Sequence, residues 1–119
     1  MKKCLCCRYV SKVVHGREIR YWTHSFGYRV AVPGIVGDFY ALHLEEGAYR
    51  GWYICERTTG AMLTANPKKT TLAEALAEVA EYIGTHGGQA EFDRRVQQAV
   101  VQHGLPPDLD LDAEEEELI

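Results

Sequence analysis

Hydrophobic and polar positions follow two different periods along the chain, with the change near residue 70. Before it, runs of aromatic and branched residues alternate with glycine-bearing clusters, the pattern of strands and turns. The predicted strands are CLCCRYVSKVV (4–14), IRYWTH (19–24), YRVAV (28–32), DFYALHL (38–44), GWYICE (51–56) and AMLTA (61–65). Between them HG, SFG, PGIVG, EEGAYRG and TTG read as turns. The strongest hairpin is GWYICERTTGAMLTA, where Thr59-Gly60 supplies a tight connection. After residue 70, Leu72, Ala75, Leu76, Val79, Ala80 and Ile83 recur at spacings of three and four, a helical stripe. Thr71 with Glu74 makes a capping box, and Gly84 is placed to end this helix. A second helix, AEFDRRVQQAVVQH, gathers Phe92, Val96, Ala99 and Val100 on one face and is stopped by Gly104 and Pro106-Pro107.

These elements predict an α+β fold, an antiparallel sheet of about five or six strands packed on one or two C-terminal helices. At 119 residues there is room for one core, so residues 1–104 are expected as a single domain. Residues 105–119 have too little apolar content to bury and are expected to be disordered alone. Two layers cover one face of a sheet, which leaves the other as the expected working surface.

Charge changes this picture more than composition does. The net charge of −4 conceals a tail, LPPDLDLDAEEEELI, with seven acids and no base. The remaining 104 residues carry ten acids against 13 bases, about +3. Within residues 1–37, Lys2, Lys3, Arg8, Lys12, Arg17, Arg20 and Arg29 face only Glu18. The chain has a basic head and an acidic tail. No apolar run approaches the roughly 20 residues of a membrane span. Arg8 and Lys12 interrupt the N-terminus before a secretory signal can develop, so a reducing cytosol is the expected compartment.

Cys4, Cys6 and Cys7 raise the question of metal or redox chemistry. A structural zinc requires four ligands, usually two close pairs. Cys4 and Cys7 have one such spacing, and Cys55 with His15, His24 or His43 would have to supply the second. A redox pair requires its first thiol at a helix N-terminus, and β-type residues follow here instead. On a strand, Cys4 and Cys6 share one face while Cys7 joins Leu5 on the other, so the cysteines are expected to be small buried hydrophobes. No cofactor is expected, with zinc on Cys4, Cys7 and Cys55 as the alternative. No serine or cysteine lies in a nucleophile motif and the five histidines are dispersed, so no catalytic residue is assigned.

Arg8, Tyr9, Lys12, Arg17, Arg20 and Trp22 interleave cations with rings, as a surface that stacks bases and pairs phosphates would. Within IRYWTH, alternation points Arg20, Trp22 and His24 one way. Arg20, Trp22 and Arg29 are the expected basic partner-binding face. Glu74, Glu78 and Glu81 lie on the side of the first helix away from its apolar stripe and are the expected acidic one. The tail is read as a solubilising end, as a strip that folds onto the basic face, or as a docking peptide seating Leu118 and Ile119 in a partner's pocket.

The segment WYICERTTGAMLTANPKKTTLAEALAEVAEYI resembles small orphan proteins of phages and mobile elements, anti-CRISPR proteins among them. It shares a Trp-initiated strand, a Thr-Gly hairpin, a second strand and a Thr-capped helix with that layout. The resemblance implies a non-enzymatic inhibitor that binds a host nucleoprotein complex and occludes its nucleic-acid site. TLAEALAEVAEYI also resembles the helix of HicB-type antitoxins, although VAVPGIVGDF lacks the cysteine of that family's proline-glycine-cysteine loop. Expected partners are therefore a host protein or nucleoprotein complex, or nucleic acid directly.

Overall fold

The computed structural model describes residues 3–44, 50–64 and 71–107. Four antiparallel strands lie in chain order, β1 (Lys3–Val14), β2 (Arg17–Val30), β3 (Phe39–Leu44) and β4 (Gly51–Glu56). Two helices follow, α1 (Leu72–Thr85) and α2 (Gly88–His103), so the fold class is α+β. The first hairpin turns in two residues, His15 at φ 51° and Gly16 at φ 76°. Left-handed geometry at both matches the twist of the flanking strands. From there β1 and β2 pair without a break, from Val14↔Arg17 to Lys3↔Tyr28.

Four strands among the described residues replace the expected five or six, for two physical reasons. Ser25, Phe26 and Gly27, expected as a turn, continue β2 and fuse two predicted strands into one. A Cβ at Gly27 would stand 2.8 Å from both the Ala41 carbonyl oxygen and Leu42 Cδ2, so glycine lets β2 press against β3. The second loss is at AMLTA. Leu63 N–H donates to the Ile54 carbonyl at 2.7 Å, but Ile54 N–H donates to the Thr64 hydroxyl at 2.7 Å instead of to backbone. A side chain interrupts that ladder, leaving one bridge, Cys55↔Met62, and Ala65 lies outside the described residues.

The sheet curls instead of lying open. Tyr9 N–H at the outer edge of β1 donates to the Gly60 carbonyl at 2.9 Å, joining the first strand to the turn after the last. The concave interior so formed buries Cys6, Tyr40, Leu42, Tyr53 and Cys55. The face expected to remain free for work is therefore a second core. Tyr40 is 1% exposed, and its hydroxyl accepts from Arg29 Nε at 3.2 Å.

The opposite face carries the helices. Ala75, Val79 and Ile83 of α1 pack with Val32, Phe39, Ala41 and Ile54, and Leu72, Leu76 and Ala80 flank them, the predicted stripe in full. The Thr71 hydroxyl accepts from Glu74 N–H at 3.1 Å and starts the helix as expected. Gly84 does not end it. The helix runs to Thr85, where His86 N–H caps the Tyr82 and Ile83 carbonyls and Gly87 at φ 100° redirects the chain. α2 docks at its two ends. Phe92 stacks on Phe39 at 5.7 Å, and the Gln89 amide accepts from Val36 N–H and donates to Val36 O, both at 2.8 Å. At the other end His103 stacks on Tyr9 with centroids 4.3 Å apart, before Gly104 stops the helix. No residue of α2 is fully buried.

Candidate functional site

Beyond Tyr9 and Trp22 the β1–β2 hairpin outruns the rest of the sheet. β3 pairs only with residues 28–30 of β2. Residues 10–21 form a two-stranded ribbon, exposed throughout except for half-buried Val10 and Val14. It carries Lys12, Arg17 and Arg20 against the single acid Glu18. Arg20 Nε lies 3.3 Å from Glu18 Oε1 with both side chains more than half exposed, a contact worth little in water. The Lys12 ammonium lies 5.1 Å from the Tyr21 ring centroid.

Alternation and register sort the expected residues. Tyr9, Arg20, Trp22 and His24 lie on the α2 side of the ribbon, whereas Arg8, Lys12, Arg17, Tyr21 and Arg29 lie on the other. Arg20 and Trp22 share a face as expected, but Arg29 does not join them. It lies over the Tyr40 ring at 5.8 Å and is tied to that core side chain. Tyr9 and Trp22 are also not open stacking platforms. Their rings lie 5.0 Å apart and His103 covers Tyr9 with nearly parallel planes. Gly60 packs under the same pair, where a Cβ would fall 2.6 Å from Trp22 Cζ3. Arg8 is half-buried and its Nε is buried without a hydrogen-bond partner. Of the expected nucleic-acid set, Lys12, Arg17 and Arg20 are the cations presented to solvent.

The cysteines divide between the two faces. Cys6 and Cys55 enter the curled interior with Cys4 beside them, and Cys7 is buried on the helix side. Cys4 and Cys7 therefore point apart, so Cys4, Cys7 and Cys55 do not converge as a ligand set. Among the described residues no group of three or more His, Cys, Asp or Glu side chains is arranged to hold a metal. Burial pushes the Cys6 thiol up to about 11, partly offset by nearby Arg8, and the Cys55 thiol up to about 12. The Cys6 thiol donates to the Ser25 carbonyl at 3.3 Å.

On α1, Glu74 and Glu81 are exposed and Glu78 is half-buried, with one carboxylate oxygen lacking a hydrogen-bond partner. The expected tail contacts, Leu118 and Ile119, and all acids of the tail lie outside the described residues. Lys2 does too.

Two features escaped the sequence. Glu56 is 4% exposed, and its carboxylate accepts from Thr58 N–H at 2.9 Å and Thr59 N–H at 2.6 Å. It holds the turn that presents Gly60 to β1. The available signal was an acid at the end of a buried strand, separated from Thr-Thr-Gly only by Arg57. The second feature is an open cleft of about 440 Å³ between α2, the end of α1 and residues 59–64. Met62, Leu63, Ile83, Phe92 and Val96 give it apolar walls, and Arg95 and His103 line it from α2. The predicted apolar face of α2 thus lines a space instead of closing one. His103 Nε2 is buried without a partner.

No family model, no curated protein and no solved structure matches this chain. Among the described residues no helix is long and apolar enough to cross a membrane.

Proposed function

We propose that this is a binding protein with no chemistry of its own, and that its β1–β2 ribbon engages duplex nucleic acid. The observation that carries the reading is the ribbon's freedom: residues 10–21 extend past every rung shared with β3 and present Lys12, Arg17 and Arg20. A duplex major groove about 12 Å wide admits a two-stranded ribbon. Three cations on such a lever reach phosphates on either side of the groove, a contact mode that needs no open ring. Because Tyr9 and Trp22 are committed to His103, single strands lack the platform on which bases stack.

The second reading is an inhibitor of a host nucleoprotein complex, of the phage and anti-CRISPR kind that the chain's layout resembles. Glu74, Glu78 and Glu81 favour it, because they succeed one another along one side of α1 and can imitate a row of phosphates. A HicB-like antitoxin is compatible with the same ribbon.

Titration of fluorescent duplex and single-stranded oligonucleotides at several salt concentrations tests the proposal. Duplex is expected to bind better, with log K falling linearly against log salt. The combined K12A, R17A and R20A variant should lower that slope by about 3 while leaving the urea midpoint unchanged. No duplex binding at low salt, by either the natural chain or one with its tail acids neutralised, sinks the nucleic-acid reading and leaves the inhibitor.

A further inference from the structure

We propose that the cleft beneath α2 binds an elongated organic acid, its carboxylate on Arg95, its apolar body over Phe92, Val96 and Met62, and a second oxygen at His103. The space measures about 440 Å³, within the roughly 300–1,000 Å³ that small-molecule pockets occupy. At about 30 Å³ per water it has room for roughly 15 non-hydrogen atoms. Three separate segments bound it, α2, the end of α1 and residues 59–64, so it is a pocket between elements and not a bare helix face. Helical spacing sorts the α2 wall by chemistry. Phe92, Val96 and Ala99 succeed one another at spacings of four and three as an apolar row. Arg95 and His103 flank that row eight residues apart, which sets them about 12 Å from each other along the axis at roughly 1.5 Å per residue.

The polar groups of the cleft select the sign of the ligand. Both acids that line it are already matched. Glu56 accepts from Thr58 and Thr59 N–H, and Glu91 is held by Arg94 and Arg95. What remains is donors. The Thr59 and Thr64 hydroxyls accept from Ala61 and Ile54 N–H, and each keeps a hydrogen to give. Arg95 gives Glu91 only its Nε, at 3.0 Å, which leaves its terminal N–H groups for a ligand. His103 Nε2 is buried with no partner among the described residues, an uncommon state that a ligand oxygen relieves. A molecule that fills the apolar space must therefore bring acceptors, and a carboxylate brings them with the charge that matches Arg95. An amine would meet Arg95 with no acid to spare. Lys12, Arg17 and Arg20 do not line the cleft, so the site is independent of the ribbon's nucleic-acid reading.

The test titrates the natural full-length chain, followed by backbone amide NMR, with decanoate carrying a terminal hydroxyl, plain decanoate and decanediol. The hydroxylated acid is long enough to join Arg95 to His103, plain decanoate lacks the far oxygen, and the diol lacks the carboxylate. The hydroxylated acid is expected to shift residues 59–64 and 91–103. It should bind about tenfold more tightly than the diol, because a charge-assisted pair is the stronger hydrogen bond. Its margin over plain decanoate should be about threefold. R95Q should erase the margin over the diol and keep the margin over plain decanoate, a split that a merely structural role for Arg95 would not produce. A99F, which puts a ring into the cleft, should abolish binding of all three. No shift at those residues at millimolar ligand would overturn the proposal, and so would equal affinity for the hydroxylated acid and the diol. Shifts spread over exposed Val13 and Val36, alike in the natural chain and A99F, would overturn it as well. Each of these failures leaves duplex binding by the ribbon to be decided by its own titration.

Discussion

Cys6 and Cys55 face one interior with Arg8 close enough to oppose their rise, yet burial dominates and both thiols titrate far above the ordinary 9.0. Thiolate is the reactive form, so these side chains are inert while the protein is folded. At pH 8 a chromogenic thiol reagent should label half-buried Cys4 first, and Cys6, Cys7 and Cys55 only after denaturant is added. Rapid labelling of all four in native protein would contradict the curled interior. The same shifts fix a direction with pH. The folded values lie above the unfolded ones, so the thiols' contribution to stability is complete below about pH 9. It is lost as pH rises toward 11 and 12, where unfolded thiols ionise first. The urea midpoint should therefore fall between pH 9 and 11, and fall less in a C55A variant.

At the level of elements, α1 was legible almost residue for residue because its stripe is a local period and its cap lies within four residues. β2 was not. Ser25-Phe26-Gly27 has the composition of a turn, and only the contact of Gly27 with Ala41 and Leu42, far along the chain, explains why the strand continues. That misreading also misplaced Arg29. Counted along an unbroken strand, positions 20 and 29 have opposite parity and cannot share a face. G27A should therefore destabilise by about 1–3 kcal/mol in urea unfolding, because the new methyl meets backbone. An unchanged midpoint would mean that β2 and β3 are not so close.

α2 poses a different case. Its stripe and its stop at Gly104 were readable. Its start at Gly88, two residues before the expected Ala90 and with no side-chain cap, was not. Nor was the cleft beneath it, since nothing local says whether an apolar face closes on its neighbours. The helix leans on its polar side for support. Glu91 pairs with Arg94 at 2.6 Å and Arg95 at 3.0 Å, and these hydrogen bonds hold its carboxyl down at about 2. Since that folded value lies below the ordinary 4.5, the support is present above about pH 4.5 and lost as pH falls toward 2. Protection factors for amide exchange across residues 88–103, taken relative to the unstructured rate at each pH, should fall over that window, with little change in an E91Q variant.

For the molecule as a whole, the curled sheet separates two tasks that an open sheet would have shared. The concave side is closed off by the Tyr9–Gly60 hydrogen bond, the helix side holds the main core, and beyond both the first hairpin extends as an exposed ribbon. The basic head was legible as composition. That Lys12, Arg17 and Arg20 stand together on a free ribbon, while Arg8 is half-buried and Arg29 lies over Tyr40, required knowing which rings and cations the fold had already used. The ribbon has one further consequence. Past Tyr9 it keeps few backbone partners outside itself, so each of its rims offers unsatisfied amides and carbonyls to any passing strand. Val13 and Ile19 lie exposed on it, the ingredients of sticky self-association between molecules. Lys12 and Arg17 on one face of the ribbon and Arg20 on the other set like charges against any second ribbon that approaches. Whatever neutralises them without covering them should make the protein oligomerise, and light scattering of the triple alanine variant at low salt would show it.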